Sequence, residues 1–342
     1  MAEFVRILRG EVRAERVPLV EYLVDDALMR PLVESLGRTW GDGEAYWDNF
    51  IAMWYHLGYD YVRLELALPF PAQYQYAHDT AAGAQRDRQW ADQKHGMIAS
   101  WEDLERYPWP RVEDFDFGPY EYVATHLPEG LGLIANHAGG PFEWVKSLLS
   151  YEGLAYLLHD DPDLVQAVAE RVGALLEQFY QHLVELPGLI ALFPGDDMGF
   201  RTATLIAPDY LRRLTLPWHQ CFADLAHSRG LLYLLHCCGN VQAILPYMLD
   251  TVKIDGKHSF EEAIMPVTEA YRRYGDRIAL LGGVDVDVLC RRPEAELRAY
   301  VRQILDVCAG GRYALGSGNS VPSYTPLQSY LAMLDEGLRY AL

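Results

Sequence analysis

Short apolar runs, each ending in polar residues and followed by an amphipathic stretch, recur along this chain. They are LGYDYVRLELAL (57–68), LGLIANHAGG (131–140), LIALFPGDD (189–197), LLYLLHCCG (231–239), DTVKIDGKHS (250–259), RIALLGGVDV (277–286) and GRYALGSGNS (311–320). Between them, PDLVQAVAERVGALLEQFYQHLVEL, PDYLRRLTLPWHQCFADLAHSRG and PEAELRAYVRQILDVCAGG carry apolar residues at three- and four-residue spacing, which predicts helices. Several of these begin after Pro-Asp or Pro-Glu and stop at Gly, the order that capping favours. Continuous apolar strands joined by helices of a dozen residues require parallel pairing with right-handed crossovers.

A closed (β/α)8 barrel and an open doubly wound sheet both satisfy that pattern. The open sheet would need a Gly-rich phosphate loop opening the helix after the first strand, and none occurs. The expectation is therefore an α/β fold, a (β/α)8 TIM barrel formed as one domain over residues 1–342. It would carry an N-terminal helical extension and a long excursion over the barrel mouth, from Pro69 to Leu127, with one or two helices. Seven strands are evident and the eighth is not.

Charge narrows the partners. With 48 acidic against 29 basic residues the formal charge is −19, which argues against nucleic acid and against an anionic membrane surface. No window approaches 18 consecutive apolar residues, so no membrane span is expected. The first 30 residues contain no unbroken apolar core of a signal peptide. Five cysteines, an odd number with Cys237 and Cys238 adjacent, do not form a disulfide framework. A cytoplasmic protein is expected.

In a barrel, the residues after the C-terminal ends of the strands face the active site. Here those positions hold Asn136, His137 and Glu143; Asp196 and Asp197; His236 and Cys238; Asp255, Lys257 and His258; Asp285 and Asp287; and Ser317, Asn319 and Ser320. His236 and Cys238 are the sharpest pair. At i and i+2 on a strand they project to one side while Cys237 points away, and an imidazole with a thiolate suits zinc. The alternative is a small buried cysteine beside a histidine bonded to a carbonyl. In GDDMGFRT (195–202), the two carboxylates could move protons or orient a metal ligand, or could cap the next turn or pair with Arg201. Lys257 and His258 could pair with a strand-end Asp or hold a substrate carboxylate. No GxSxG, HExxH or CxxC occurs.

In order, AGGPFEW (138–144), GDDMGF (195–200), LLHCCGN (234–240), GGVD (282–285) and GSGNSVPSYTP (316–326) resemble the uroporphyrinogen decarboxylase superfamily, over nearly the whole chain and most specifically from Gly139 to Leu334. That resemblance implies a (β/α)8 barrel and one of two activities. One branch decarboxylates a porphyrinogen and uses an Arg-rich RQAGRY-type stretch, where this chain reads RVPLVEYLVDDALMR. The other comprises zinc-dependent methyltransferases working with corrinoid proteins, and carries a His-x-Cys-Gly motif matched by His236, Cys238 and Gly239. Its third ligand, a Cys, corresponds here to Asn319. Candidates to replace it are Glu143, Asp197 and His258.

The resemblance thus implies methyl transfer between a small substrate, a methoxy compound or a thiol, and a separate corrinoid protein. His236 and Cys238 would hold zinc; Asp197, Glu143, Lys257 and His258 would act in catalysis; Asn136, Arg201 and Asn319 would contact substrate. A homodimer is implied. Two rivals stay open: a metal-independent decarboxylase or lyase using Lys257, His258 and Arg201, and a non-catalytic ligand-binding barrel.

Overall fold

The computed structural model describes residues 1–78 and 87–342. Seven strands form one parallel sheet in sequence order: β1 (Tyr61–Leu66), β4 (Gly132–His137), β5 (Leu189–Leu192), β6 (Leu232–His236), β7 (Gly256–His258), β8 (Ala279–Leu281) and β9 (Tyr313–Ala314). These are the seven apolar runs, and the sheet curls into a barrel-like wall with helices outside it. Both faces of β4, β5 and β6 are buried, which is why they read as continuous apolar runs rather than alternating ones.

The outer helices follow from the same pattern. Pro162–Leu183 starts at Asp161, whose side chain accepts from Leu164 N, and buries Leu164, Val165, Val168, Val172, Leu176, Phe179 and Leu183 along one stripe. It crosses Leu216–Ser228 so closely that a Cβ on Gly173 would lie 2.0 Å from the Trp218 ring.

Two parts of the chain differ from expectation. Segment 18–25, which has no strand signature because Pro18, Glu21 and Asp25 interrupt it, runs along the free edge of β9. Val20 N donates to Leu315 O (2.8 Å), Leu315 N to Pro18 O (2.8 Å) and Val321 N to Leu23 O (2.8 Å). Towards β1 the contacts run through side chains, the Tyr61 hydroxyl on the Glu21 backbone and the Tyr22 hydroxyl on Glu65, rather than through a backbone ladder. The excursion from Pro69 to Leu127 contains the helices Trp101–Arg106 and Gly118–Thr125, and also an antiparallel pair, β2 (Tyr74–His78) with β3 (Asp87–Ala91), that was not foreseen. The N-terminal helices Ala2–Leu8, Asp26–Ser35 and Glu44–His56 form the expected extension.

Gly to Ala in the middle of an exposed helix stabilises by about 1 kcal/mol. Gly173→Ala is expected to do the reverse here, lowering stability by about 1–3 kcal/mol through the forced shift of Trp218. A urea unfolding midpoint at or above that of the parent chain would contradict the close crossing.

Candidate active site

The end of β6 is held on both flanks. His236 N donates to Pro194 O (2.9 Å), Asp196 N donates to His236 O (3.0 Å), and Cys237 N donates to His258 O (2.7 Å). Beyond it the chain turns at Gly239, with φ of 76°, in a space where a Cβ would lie 2.4 Å from the Gly199 carbonyl carbon. Strand alternation then sorts the side chains. Cys237 is fully buried off the inner face, where Met198 N donates to its Sγ (3.4 Å). His236 and Cys238 share the other face, with Cys238 Sγ 3.2 Å from His236 Nε2.

Asp197 joins them. Its Oδ1 accepts from Cys238 N (2.8 Å) and lies 3.7 Å from His236 Nε2. One donor atom from each of Asp197, His236 and Cys238 lies within 4.8 Å of the others. Asn319 directs its Nδ2 at Cys238 Sγ (3.2 Å), and Ser259 Oγ approaches the same sulfur at 3.6 Å.

The neighbouring aspartate does a different job. Asp196 is fully buried; its two oxygens accept from Phe142 N (3.0 Å) and Glu143 N (2.9 Å), capping the helix Pro141–Leu149, and it also meets His219 Nε2 (2.9 Å). Gly140 permits that approach, since a Cβ there would lie 2.3 Å from Asp196 Cβ. The cap sets Glu143 near Asp197. Burial, then the charges of Asp197 and Asp196, push the Glu143 carboxyl up to about 8.

Other sequence candidates are placed elsewhere. His258 stands in register with His236 across β6 and β7, with Nδ1 2.7 Å from His236 Nδ1 and Nε2 2.9 Å from Ser317 O. Neither ring nitrogen is free, so His258 is not the missing ligand. Burial holds both imidazoles well below their ordinary pKa. Lys257 points the other way, donating to Ser259 O (2.7 Å) and Cys237 O (3.4 Å) above the Phe260 ring, and makes no salt bridge to a strand-end Asp among the described residues. Arg201 is exposed on the loop between Gly199 and Thr204, and Asp197 and Arg201 do not pair. Asn136 is fully buried, its amide committed to Arg63, Glu65 and the His137 carbonyl. The trio of Lys257, His258 and Arg201 therefore does not converge on one point.

Sequence reading missed the floor beside this cluster. Arg63 Nη2, Tyr22 Oη and Asn136 Nδ2 all donate to Glu65 Oε2, at 2.5, 2.7 and 2.6 Å, and the Tyr22 ring stacks on His236 at 4.0 Å. The available signal was Arg63 and Glu65 at i and i+2 in the apolar strand YVRLEL, two charges on one buried face. Beside the mouth, residues Trp90–Gln93, Lys146, Tyr151 and the Phe200–Leu205 loop enclose a cleft of about 580 Å³.

A curled parallel sheet with its polar cluster at the C-terminal strand ends defines a TIM-barrel-like α/β protein of the kind that binds ligands there. The chain belongs to the uroporphyrinogen decarboxylase (URO-D) family, whose model matches residues 95–340. It is 38% identical over 79 residues to a uroporphyrinogen decarboxylase of Cupriavidus pinatubonensis, and 37% identical over 79 residues to that of Cupriavidus necator. Each match spans 22% of this chain and 22% of the relative. Its fold resembles that of a methyltransferase from Methanosarcina mazei, 19% identical, with a TM-score of 0.69, covering 97% of this chain and 96% of that one. No helix among the described residues is long and apolar enough to cross a membrane.

Glu21 offers a test of the electrostatics beneath the site. It is fully buried, accepts from Ser317 N (2.9 Å), shares a hydrogen bond with the Ser317 hydroxyl, and is pushed up to about 8 by burial. Between its ordinary value of 4.5 and about 8, the folded chain keeps a proton that the unfolded chain has lost. Stability therefore falls as pH rises through that window, by at most about 1.4 kcal/mol per pH unit. Glu21→Gln removes this contribution, so its stability relative to the parent rises from pH 5 to pH 8 in denaturant titrations. A constant difference across that range would contradict the buried neutral carboxyl.

Proposed function

We propose that this chain is a zinc-dependent methyltransferase, one barrel domain over residues 1–342 that moves a methyl group between a small substrate and a separate corrinoid protein. The observation that carries the reading is the convergence of Asp197, His236 and Cys238 within 4.8 Å. An imidazole nitrogen, a thiol sulfur and a carboxylate oxygen form a donor set suited to zinc with one position left open. The local charges fit a dication as well. Burial and Asp197 hold the Cys238 thiol well above its ordinary pKa, and neither Lys nor Arg lies within salt-bridge distance of Asp197 or Glu143 among the described residues.

Asp197 takes the part of the missing cysteine. One thiolate, one carboxylate and a neutral imidazole would balance the charge of a bound zinc ion. When bound, zinc supplies Lewis-acid polarisation of a substrate oxygen or sulfur. The chain's own groups do the rest. Asn319 Nδ2, by donating to Cys238 Sγ, favours the thiolate. Glu143, neutral at pH 7, has a proton to give to a leaving heteroatom. Tyr22 and the Arg63–Glu65 pair wall off the inner side of His236. The cleft beside the Phe200–Leu205 loop gives substrate and partner an approach.

The test is zinc content together with methyl transfer to cob(I)alamin, followed by its visible spectrum, with methoxy and methylthio donors. Purified chain is expected to hold about one zinc, with Cys238→Ser and Asp197→Asn each weakening zinc at least about tenfold and abolishing transfer. A chain that holds no zinc, and whose activity survives Cys238→Ser, would overturn the proposal.

A further inference from the structure

Hydrogen bonds around β7 dictate where the protons sit on two buried imidazoles. The Ser317 carbonyl can only accept, so His258 Nε2, 2.9 Å away, carries a proton. His258 Nδ1 and His236 Nδ1 are 2.7 Å apart, so one donates and the other accepts. If His258 donated there too, its ring would be a cation, fully buried and with no carboxylate in ion-pair distance among the described residues. Burying a bare cation costs far more than one hydrogen bond returns. The ring is neutral, its Nδ1 accepts, and the proton between the rings belongs to His236 Nδ1.

A neutral His236 protonated at Nδ1 has a bare lone pair on Nε2. That nitrogen is the one 3.2 Å from Cys238 Sγ and 3.7 Å from Asp197 Oδ1. The other tautomer would put a hydrogen where a metal ion must bind. Ser317 is itself fixed, because its amide donates to Glu21 Oε1 (2.9 Å) and its hydroxyl is hydrogen-bonded to Glu21 Oε2. Tyr22 stacking on His236 at 4.0 Å prevents the ring from tilting out of line.

We propose that His258 is a positioning residue: with Ser317 and Glu21 behind it, it locks His236 in the single tautomer whose Nε2 can bind an ion, and does not itself touch substrate. The proposal rests on His236 being a metal ligand, yet the tautomer can be read without any metal.

The experiment is nitrogen NMR on the full-length chain labelled with ¹⁵N-histidine and stripped with a chelator, followed by zinc titration. The expected spectrum shows His236 protonated at Nδ1 and bare at Nε2, and His258 the reverse. His258→Asn supplies an amide oxygen near the Nδ1 position, and should keep the His236 pattern and zinc affinity within about threefold, whereas His258→Leu should lose the pattern and weaken zinc about 10- to 100-fold. His236 protonated at Nε2 in the parent chain would overturn the proposal. So would His258→Leu with tautomer and zinc affinity unchanged. If His258→Leu does not fold, the parent spectrum and His258→Asn decide. Should the parent chain show the expected tautomer but take up no zinc, the metal reading falls while the lock stands.

Discussion

The site depends on the backbone pairing at the end of β6. Pro194 and Asp196 bond one flank of His236, and His258 bonds Cys237 on the other. Those bonds extend the parallel ladder just past the last apolar residue, so side chains from three strands reach one point with fixed orientation. His236 lands beside His258 by register. Cys238 lands beside His236 by alternation. Asp197 follows Asp196, whose grip on the helix Pro141–Leu149 and on His219 holds the intervening loop. Moving the β6–β7 register by one residue would bring Lys257 beside His236 and turn His258 away.

Charge gives the cluster its chemical character. Two buried basic groups lie near it, yet each is occupied: Arg63 with Glu65 and Asn136, Lys257 with two carbonyls and the Phe260 face. Among the described residues no Lys or Arg forms a salt bridge with Asp197 or Glu143; Lys146 and Lys257 act on them only at longer range. Burial and the charge of Asp197 push the Glu143 carboxyl and the Cys238 thiol up, so both favour their protonated forms. A divalent cation is the simplest group that would pair with Asp197 and a Cys238 thiolate while accepting the His236 lone pair, leaving Glu143 its proton.

Much of this was legible in the sequence because burial on both faces writes a strand as an unbroken apolar run. All seven such runs are strands, and His236 and Cys238 were separable from Cys237 by period alone. Where the sequence was silent, the cause is long-range. Segment 18–25 pairs with β9 almost 300 residues away and buries Glu21 on Ser317, a pairing that no local pattern in those residues announces. The β2–β3 pair is exposed along β2 and lacks an apolar face to announce it. Asp196 and Asp197 are indistinguishable in sequence; only the fold shows that one caps a helix and the other meets the thiol. Lys257 and His258, adjacent and both polar, were separated the same way, by opposite faces of a three-residue strand.

The central claim is that a carboxylate has replaced a thiolate at this centre. X-ray absorption at the zinc edge of the loaded chain counts sulfur neighbours directly. One sulfur at about 2.3 Å, with nitrogen and oxygen neighbours at about 2.0–2.2 Å, is the expected shell. A shell without sulfur, or one with two sulfurs, would contradict it.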